Sequence, residues 1–156
     1  FYLSAFDHWI KEVKRIKYYF RYMDDIVIFG DSKEKLHQLK REIDDYLAKN
    51  LKLRVKENWQ VFPTFVRGVD FVGYRMFFGY SLLRKSTCKN MKRKMRAIIR
   101  KCNNGQEMNH SEWCSIYSYR GWLVHCNSYR LEEKYIKPLE PFAQEYYDKY
   151  IKRKVE

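Results

Sequence analysis

Tyr19-Phe20-Arg21-Tyr22-Met23-Asp24-Asp25-Ile26-Val27-Ile28-Phe29 decides the fold. Lys17 to Met23 is aromatic and extended, and Ile26 to Phe29 is β-branched and continuous. Two strand-like runs separated by two aspartates predict a β-hairpin with both carboxylates at its tip. Adjacent carboxylates repel and raise each other's proton affinity. A divalent cation relieves that repulsion, and Mg²⁺ takes one or two carboxylates together with substrate phosphates. A bare Asp-Asp pair is usually an ordinary polar turn. Here the apolar arms on both sides make the acids project from a rigid hairpin, so Asp24 and Asp25 are candidate metal ligands and catalytic residues.

Outward from the hairpin, residues 2–15 carry Leu3, Phe6, Ile10 and Val13 at helical spacing. Gly30-Asp31 breaks the second strand, and Asp31 with Glu34 predicts a capping box. The helix that follows runs to about Asn50, with Leu36, Leu39, Ile43, Tyr46 and Leu47 as its apolar stripe. Residues 51–62 alternate weakly and read as one strand or two short ones. Residues 66–80 read as a hairpin. Gly73 inside it suggests a close backbone approach or a bulge, and alternation puts Phe71 and Gly73 on one face, Val72 and Tyr74 on the other. From Ser86 or Thr87 the pattern is helical: a first helix to Asn103, a second from Asn109 or Ser111 through Val124, a third from Ser128 to before Pro138, and a last one after Pro141. The expected fold class is α+β. Residues 1–80 are an antiparallel sheet with helices, and residues 81–156 are all-helical.

Charge is the second signal. The chain carries 32 Lys+Arg against 19 Asp+Glu, a formal net charge of +13, which points to a polyanionic partner. Nine of the basic residues lie between Arg84 and Lys101, with no acid among them. On a helix, Met91, Met95, Ile98 and Cys102 form an apolar seam. Lys85, Lys89, Lys92, Arg93, Arg96 and Arg100 fall opposite, over roughly 100°. Unmixed charge costs repulsion at i,i+4 spacing, and a nucleic-acid backbone would relieve it. A basic helix on a membrane is the rival, weaker because Met, Ile and Cys suit helix packing. No run is long and apolar enough for a transmembrane helix, and residues 1–6 do not form a signal peptide.

Cysteines at 88, 102, 114 and 126 show no C-x-x-C pair and read as reduced, mostly buried thiols of a cytoplasmic protein. His125 beside Cys126 lacks a second ligand pair and reads as a packed or capping histidine. Trp113, Tyr117, Tyr119 and Trp122 read mostly as helix core, with about one in four left to stack on bases.

Residues 21–29 resemble the catalytic Y-x-D-D segment of reverse transcriptases, and the downstream order is similar. Asp31 to Asn50 resembles the palm helix. Leu51-Lys52-Leu53-Arg54-Val55-Lys56 resembles the motif whose lysine approaches the incoming nucleotide's phosphates. Gly68-Val69-Asp70-Phe71-Val72-Gly73-Tyr74-Arg75 resembles the F-L-G-Y primer grip of bacterial and group II intron-type enzymes. Ser118-Tyr119-Arg120-Gly121-Trp122-Leu123-Val124-His125 resembles a thumb segment of bacterial reverse transcriptases.

The resemblance spans roughly residues 1–140. It implies a partial palm followed by a helical thumb, in an RNA-directed DNA polymerase that uses two Mg²⁺ ions, deoxynucleoside triphosphates, an RNA template and a DNA primer. Asp24 and Asp25 would hold metal, Lys56 would serve the leaving pyrophosphate, and Phe71, Val72, Gly73 and Tyr74 would grip the primer. No D-I-x-x-F-F or Q-G-x-P-x-G-x-x-x-S motif occurs. The fingers and upper palm, with the third carboxylate, are therefore expected upstream of Phe1, and the chain alone is expected to be inactive and to self-associate. Asp7 and Glu12 fall in a helix and are poor substitutes for that carboxylate. The alternative is a non-catalytic RNA-binding module built on a polymerase-derived fold.

Overall fold

The structure, a computed structural model, describes residues 2–152. It is mixed α and β, with a two-stranded and a three-stranded antiparallel sheet. The chain divides into two compact units between Arg67 and Gly68.

In the first unit, α1 (Ser4–His8) runs into a π-helical turn at Trp9–Val13. Phe6 and Ile10 are fully buried, but Val13 is exposed. The wider winding rotates Val13 off the stripe that regular helical spacing would give it. Strands β1 (Tyr19–Tyr22) and β2 (Asp25–Ile28) pair from Tyr19↔Ile28 to Tyr22↔Asp25. Helix α2 (Lys33–Tyr46) continues as a π-helical turn, Leu47–Leu51. Its cap is Ser32 rather than Asp31: the Ser32 hydroxyl accepts from the Lys35 backbone N–H at 3.3 Å and donates to Glu34 at 2.7 Å. Asp31 instead lies 3.4 Å from the Lys35 ammonium. The core is Phe6, Ile10, Tyr19, Leu39, Ile43 and Leu47.

Residues 51–62 form no strand among the described residues. Lys52 turns left-handed (φ 52°) at the helix end. The segment is then pinned by side chains: Val55 packs on the core, and Trp59 lies 5.6 Å from the His37 ring with the Lys40 ammonium 4.5 Å from its own ring. Short α3 (Thr64–Arg67) closes the unit.

In the second unit, β3 (Val69–Phe71), β4 (Tyr74–Phe77) and β5 (Tyr80–Leu83) form a meander. The expected hairpin over 66–80 is thus shifted and one strand longer. Helix α4 (Lys85–Asn103) has Arg84 at its N-cap with no side-chain cap, so Ser86 and Thr87 lie inside the helix. Helix α5 (His110–Leu123) begins at a complete capping box between Asn109 and Glu112. A short helix, α6 (Tyr129–Leu131), leads without interruption through Glu132–Ile136 and Lys137–Leu139 into α7 (Glu140–Tyr146) and on to Tyr147–Ile151. Pro138 does not stop the winding, because it sits in the first turn of a 3₁₀ segment where its missing N–H costs nothing.

Met91, Met95, Ile98 and Cys102 pack with Ile116, Leu123, Ile136 and Leu139 in one core, with Leu83 buried and Tyr74 packed beside it. The sheet therefore belongs with the helices, and the division falls after Arg67 rather than between residues 80 and 81. The thiols are less buried than expected: Cys102 is buried, Cys88 and Cys126 are half-buried and Cys114 is exposed. No described helix is long and apolar enough to cross a membrane.

Candidate functional site

The register Tyr22↔Asp25 leaves Met23 and Asp24 as the two turn residues, with Asp25 opening β2. Met23 has φ 53°, a conformation that costs an L-residue without a special reason of the order of 1–3 kcal/mol. A clamp holds it. The Arg21 guanidinium donates to the Met23 carbonyl at 2.9 Å. The same group donates from Nε to Asp7 Oδ1 at 2.7 Å and pairs through Nη2 with Asp7 Oδ2. Tyr19 donates to the same carboxylate at 2.6 Å. Arg21 holds the Asp7 carboxyl below its ordinary range against partial burial. Burial, then Asp7, pushes the Tyr19 phenol up, and Asp7 raises Arg21. Asp7 is therefore the anchor of the hairpin.

Lys56 reaches this tip from the irregular segment, its Nζ donating to Asp24 Oδ2 at 3.1 Å. The ammonium, followed by the turn's own backbone, lowers the Asp24 pKa, and Asp24 raises that of Lys56. Asp25 contributes a weaker Coulombic pull on the same ammonium. Lys56 and Asp24 thus meet directly, with Asp25 next in the chain and within Coulombic reach of the same ammonium. The carboxylates of Asp24 and Asp25 are hard oxygen donors of the kind a divalent ion takes. Among the described residues no group of three or more potential ligands surrounds them, so a two-ion site needs ligands beyond this cluster.

The second unit carries the other residues. Phe71 and Tyr74 are paired strand residues, and Val72 and Gly73 form the turn between them, with φ 46° and 80°. Both central residues at positive φ define a type I′ reversal, so the strand alternation expected for residues 71–74 does not hold. The close approach expected at Gly73 is present: a Cβ there would lie 2.2 Å from the Trp122 ring. Tyr74 stacks on Trp122 at 5.5 Å and donates its hydroxyl to the Trp122 carbonyl at 3.0 Å. The Arg84 N–H donates to the Gly73 carbonyl at 2.9 Å. The turn is fixed to α5 and to the start of α4.

Lys85, Lys89, Lys92, Arg93, Arg96 and Arg100 line one open groove of about 670 Å³, together with Arg75, Leu82, Leu83 and Cys88 and without any acid. None of the six helix cations is ion-paired to a carboxylate among the described residues. Arg75 is held bidentately by Asp70 at 2.9 and 2.8 Å. Arg96 donates to the Tyr135 hydroxyl at 2.9 Å and lies 5.4 Å from its ring. Of the four aromatic residues read as mostly core, only Tyr117 is exposed, at 41%. Asp7, Trp122 and Tyr135 were not foreseen as partners of the sites. Only Arg21 gave a signal, since alternation puts a charged residue on the inward face of Tyr19 and calls for a buried acid.

No protein-family model matches the chain, and no curated protein matches it.

Proposed function

We propose that the chain is the C-terminal palm and thumb portion of a reverse transcriptase. The observation that carries this reading is the contact of Lys56 with Asp24 in a two-residue hairpin turn, beside Asp25 at the start of β2, with Lys56 coming from 32 positions downstream of Asp24. It agrees with the motif order in the sequence.

In the intact enzyme Asp24 and Asp25 would hold Mg²⁺, which would supply stabilisation of charge on the attacking and leaving oxygens. The chain's own contributions are separable. Arg21 and Asp7 keep the strained turn in place. Lys56, carrying its proton at Nζ, is free to leave Asp24 for the departing pyrophosphate. The Phe71–Tyr74 turn, seated on Trp122, presents backbone to the primer terminus. The α4 groove follows a phosphate backbone, on which every one of its hydrogen-bonding cations is a donor.

The test is RNA-templated incorporation of deoxynucleotides by the intact protein. Asp24→Asn should abolish synthesis and leave binding of primed template unchanged, and the isolated chain should show no incorporation. Binding lost without loss of chemistry would remove the metal role. An intact protein that binds structured RNA but never incorporates nucleotides, with or without Asp24, would favour the non-catalytic RNA-binding reading. The groove supports that reading equally.

A further inference from the structure

The face of the meander that continues the groove carries two stacked aromatic rings beside the Arg75–Asp70 pair. Register places Arg75 opposite Leu82 and Phe77 opposite Tyr80, so strand alternation puts these four residues on one face. Arg75 and Leu82 also line the basic groove, so face and groove are continuous. Phe77 and Tyr80 stack with centroids 4.7 Å apart and planes 10° from parallel. Gly68 leaves room for that stack: a Cβ there would lie 3.0 Å from the Phe77 ring. Tyr80 is 47% exposed, and Phe78 at the hairpin tip is fully exposed. Gly79, at φ 84° with open space around it, lets the chain reverse without covering Phe78.

We propose that Phe78 and Tyr80 form a base-stacking platform for an unpaired nucleotide whose backbone leads into the α4 groove. The ligand class is single-stranded nucleic acid, DNA or RNA, held by its base faces rather than its hydrogen-bonding edges. The charge of the groove selects this occupant over another apolar surface. Seven cations and no acid line the groove, and Asp70 on the adjoining face is held by Arg75, whereas an apolar protein partner would have to bury the six cations of α4 unpaired. Stacking on an aromatic side chain tolerates any base, and removing the side chain costs about tenfold or more in affinity. The inference rests on the groove of the proposed function and adds a second contact to it, one that does not depend on salt.

The experiment measures binding of a short labelled oligothymidylate, the same strand with abasic residues, and a blunt duplex across a salt series, for the chain and its Phe78→Ala and Phe78→Trp variants. Phe78 has no buried neighbours to lose, so both variants fold as the parent does. Phe78→Ala should weaken the oligothymidylate about tenfold at every salt concentration, with an unchanged slope of log affinity against log salt. The abasic strand should bind the parent as weakly as oligothymidylate binds that variant. Phe78→Trp should restore affinity, and the duplex should be indifferent to all of these changes. A normal salt slope with no effect of Phe78→Ala or of base removal overturns the platform and leaves the groove standing. Absence of any salt-dependent binding overturns both. A Phe78→Ala variant that turns a dimer into a monomer assigns the tip to a second copy and also overturns the proposal.

Discussion

Val72 is a β-branched residue at φ 46°, where its side chain crowds its own backbone. Asn tolerates that region, so Val72→Asn should stabilise the second unit by about 1 kcal/mol, read as a raised denaturant midpoint. Gly73 has no such latitude. Gly73→Ala drives a methyl into the Trp122 ring and should cost about 1–3 kcal/mol, the usual range for overpacking. In the first unit, Asp7 has a folded pKa below its unfolded one. Its contribution is therefore fully present above the ordinary aspartate pKa and is lost as pH falls through the depressed folded value. Acid titration followed by tyrosine near-ultraviolet dichroism should show this loss, and Asp7→Asn should remove it along with about 1–2 kcal/mol of stability at neutral pH. A titration curve identical in the variant would detach Asp7 from the hairpin.

Among the elements, α4 was the most legible in the sequence. Its buried residues Met91, Met95, Ile98 and Cys102 are those the helical period selects, and its cations gather in one groove. Periodicity over many turns leaves one solution. Turns and caps were less legible because they are settled by single hydrogen bonds. Ser32 displaced Asp31 as a cap, and Val72-Gly73 became a turn where alternation alone read a strand. The irregular stretch over 51–62 was illegible as structure because side-chain docking of Trp59 on α2, rather than backbone pairing, holds it. Lys56, in that stretch, was singled out by motif and lies against Asp24. For α4, four to five simultaneous phosphate contacts give a slope of log affinity against log salt near −4 on a duplex, at roughly −0.9 per contact. Replacing Lys89, Lys92 and Arg96 together should remove about 2–3 units of that slope, equally for all sequences. A slope untouched by the triple substitution would end the role of the groove.

At the scale of the molecule, the two units have separate cores, and their resources are unequal. The second buries a dozen residues around its helices, whereas the first rests on six and on a sheet of two strands. Two strands alone are marginal in water, and the outer face of this pair leaves Tyr18, Phe20 and Tyr22 about half exposed. Hydrogen exchange should therefore show weaker protection in β1 and β2 than in α4 and α5. Leu123→Ala should cost about 2–5 kcal/mol and lower protection in the second unit, and Leu39→Ala should do the same in the first. Equal loss in both units from either change would show that the cores unfold as one. Self-association through the exposed apolar residues of the first unit should appear as a concentration-dependent sedimentation coefficient.

The contact of Gly73 with Trp122 ties two distant positions into one choice. A ring that fills the space where a Cβ would stand makes the smallest residue at one site the condition for the largest at the other. Among descendants of this sequence, a larger ring-bearing residue at 122 should go with glycine at 73, and a side chain gained at 73 should require both a smaller residue at 122 and a turn that no longer needs φ 80°. In the laboratory, Gly73→Ala should be rescued only in part by Trp122→Leu, which removes the clash with the ring and leaves the cost of a side chain at φ 80°. Natural variation at these two positions would then record the packing of a turn that neither position records by itself.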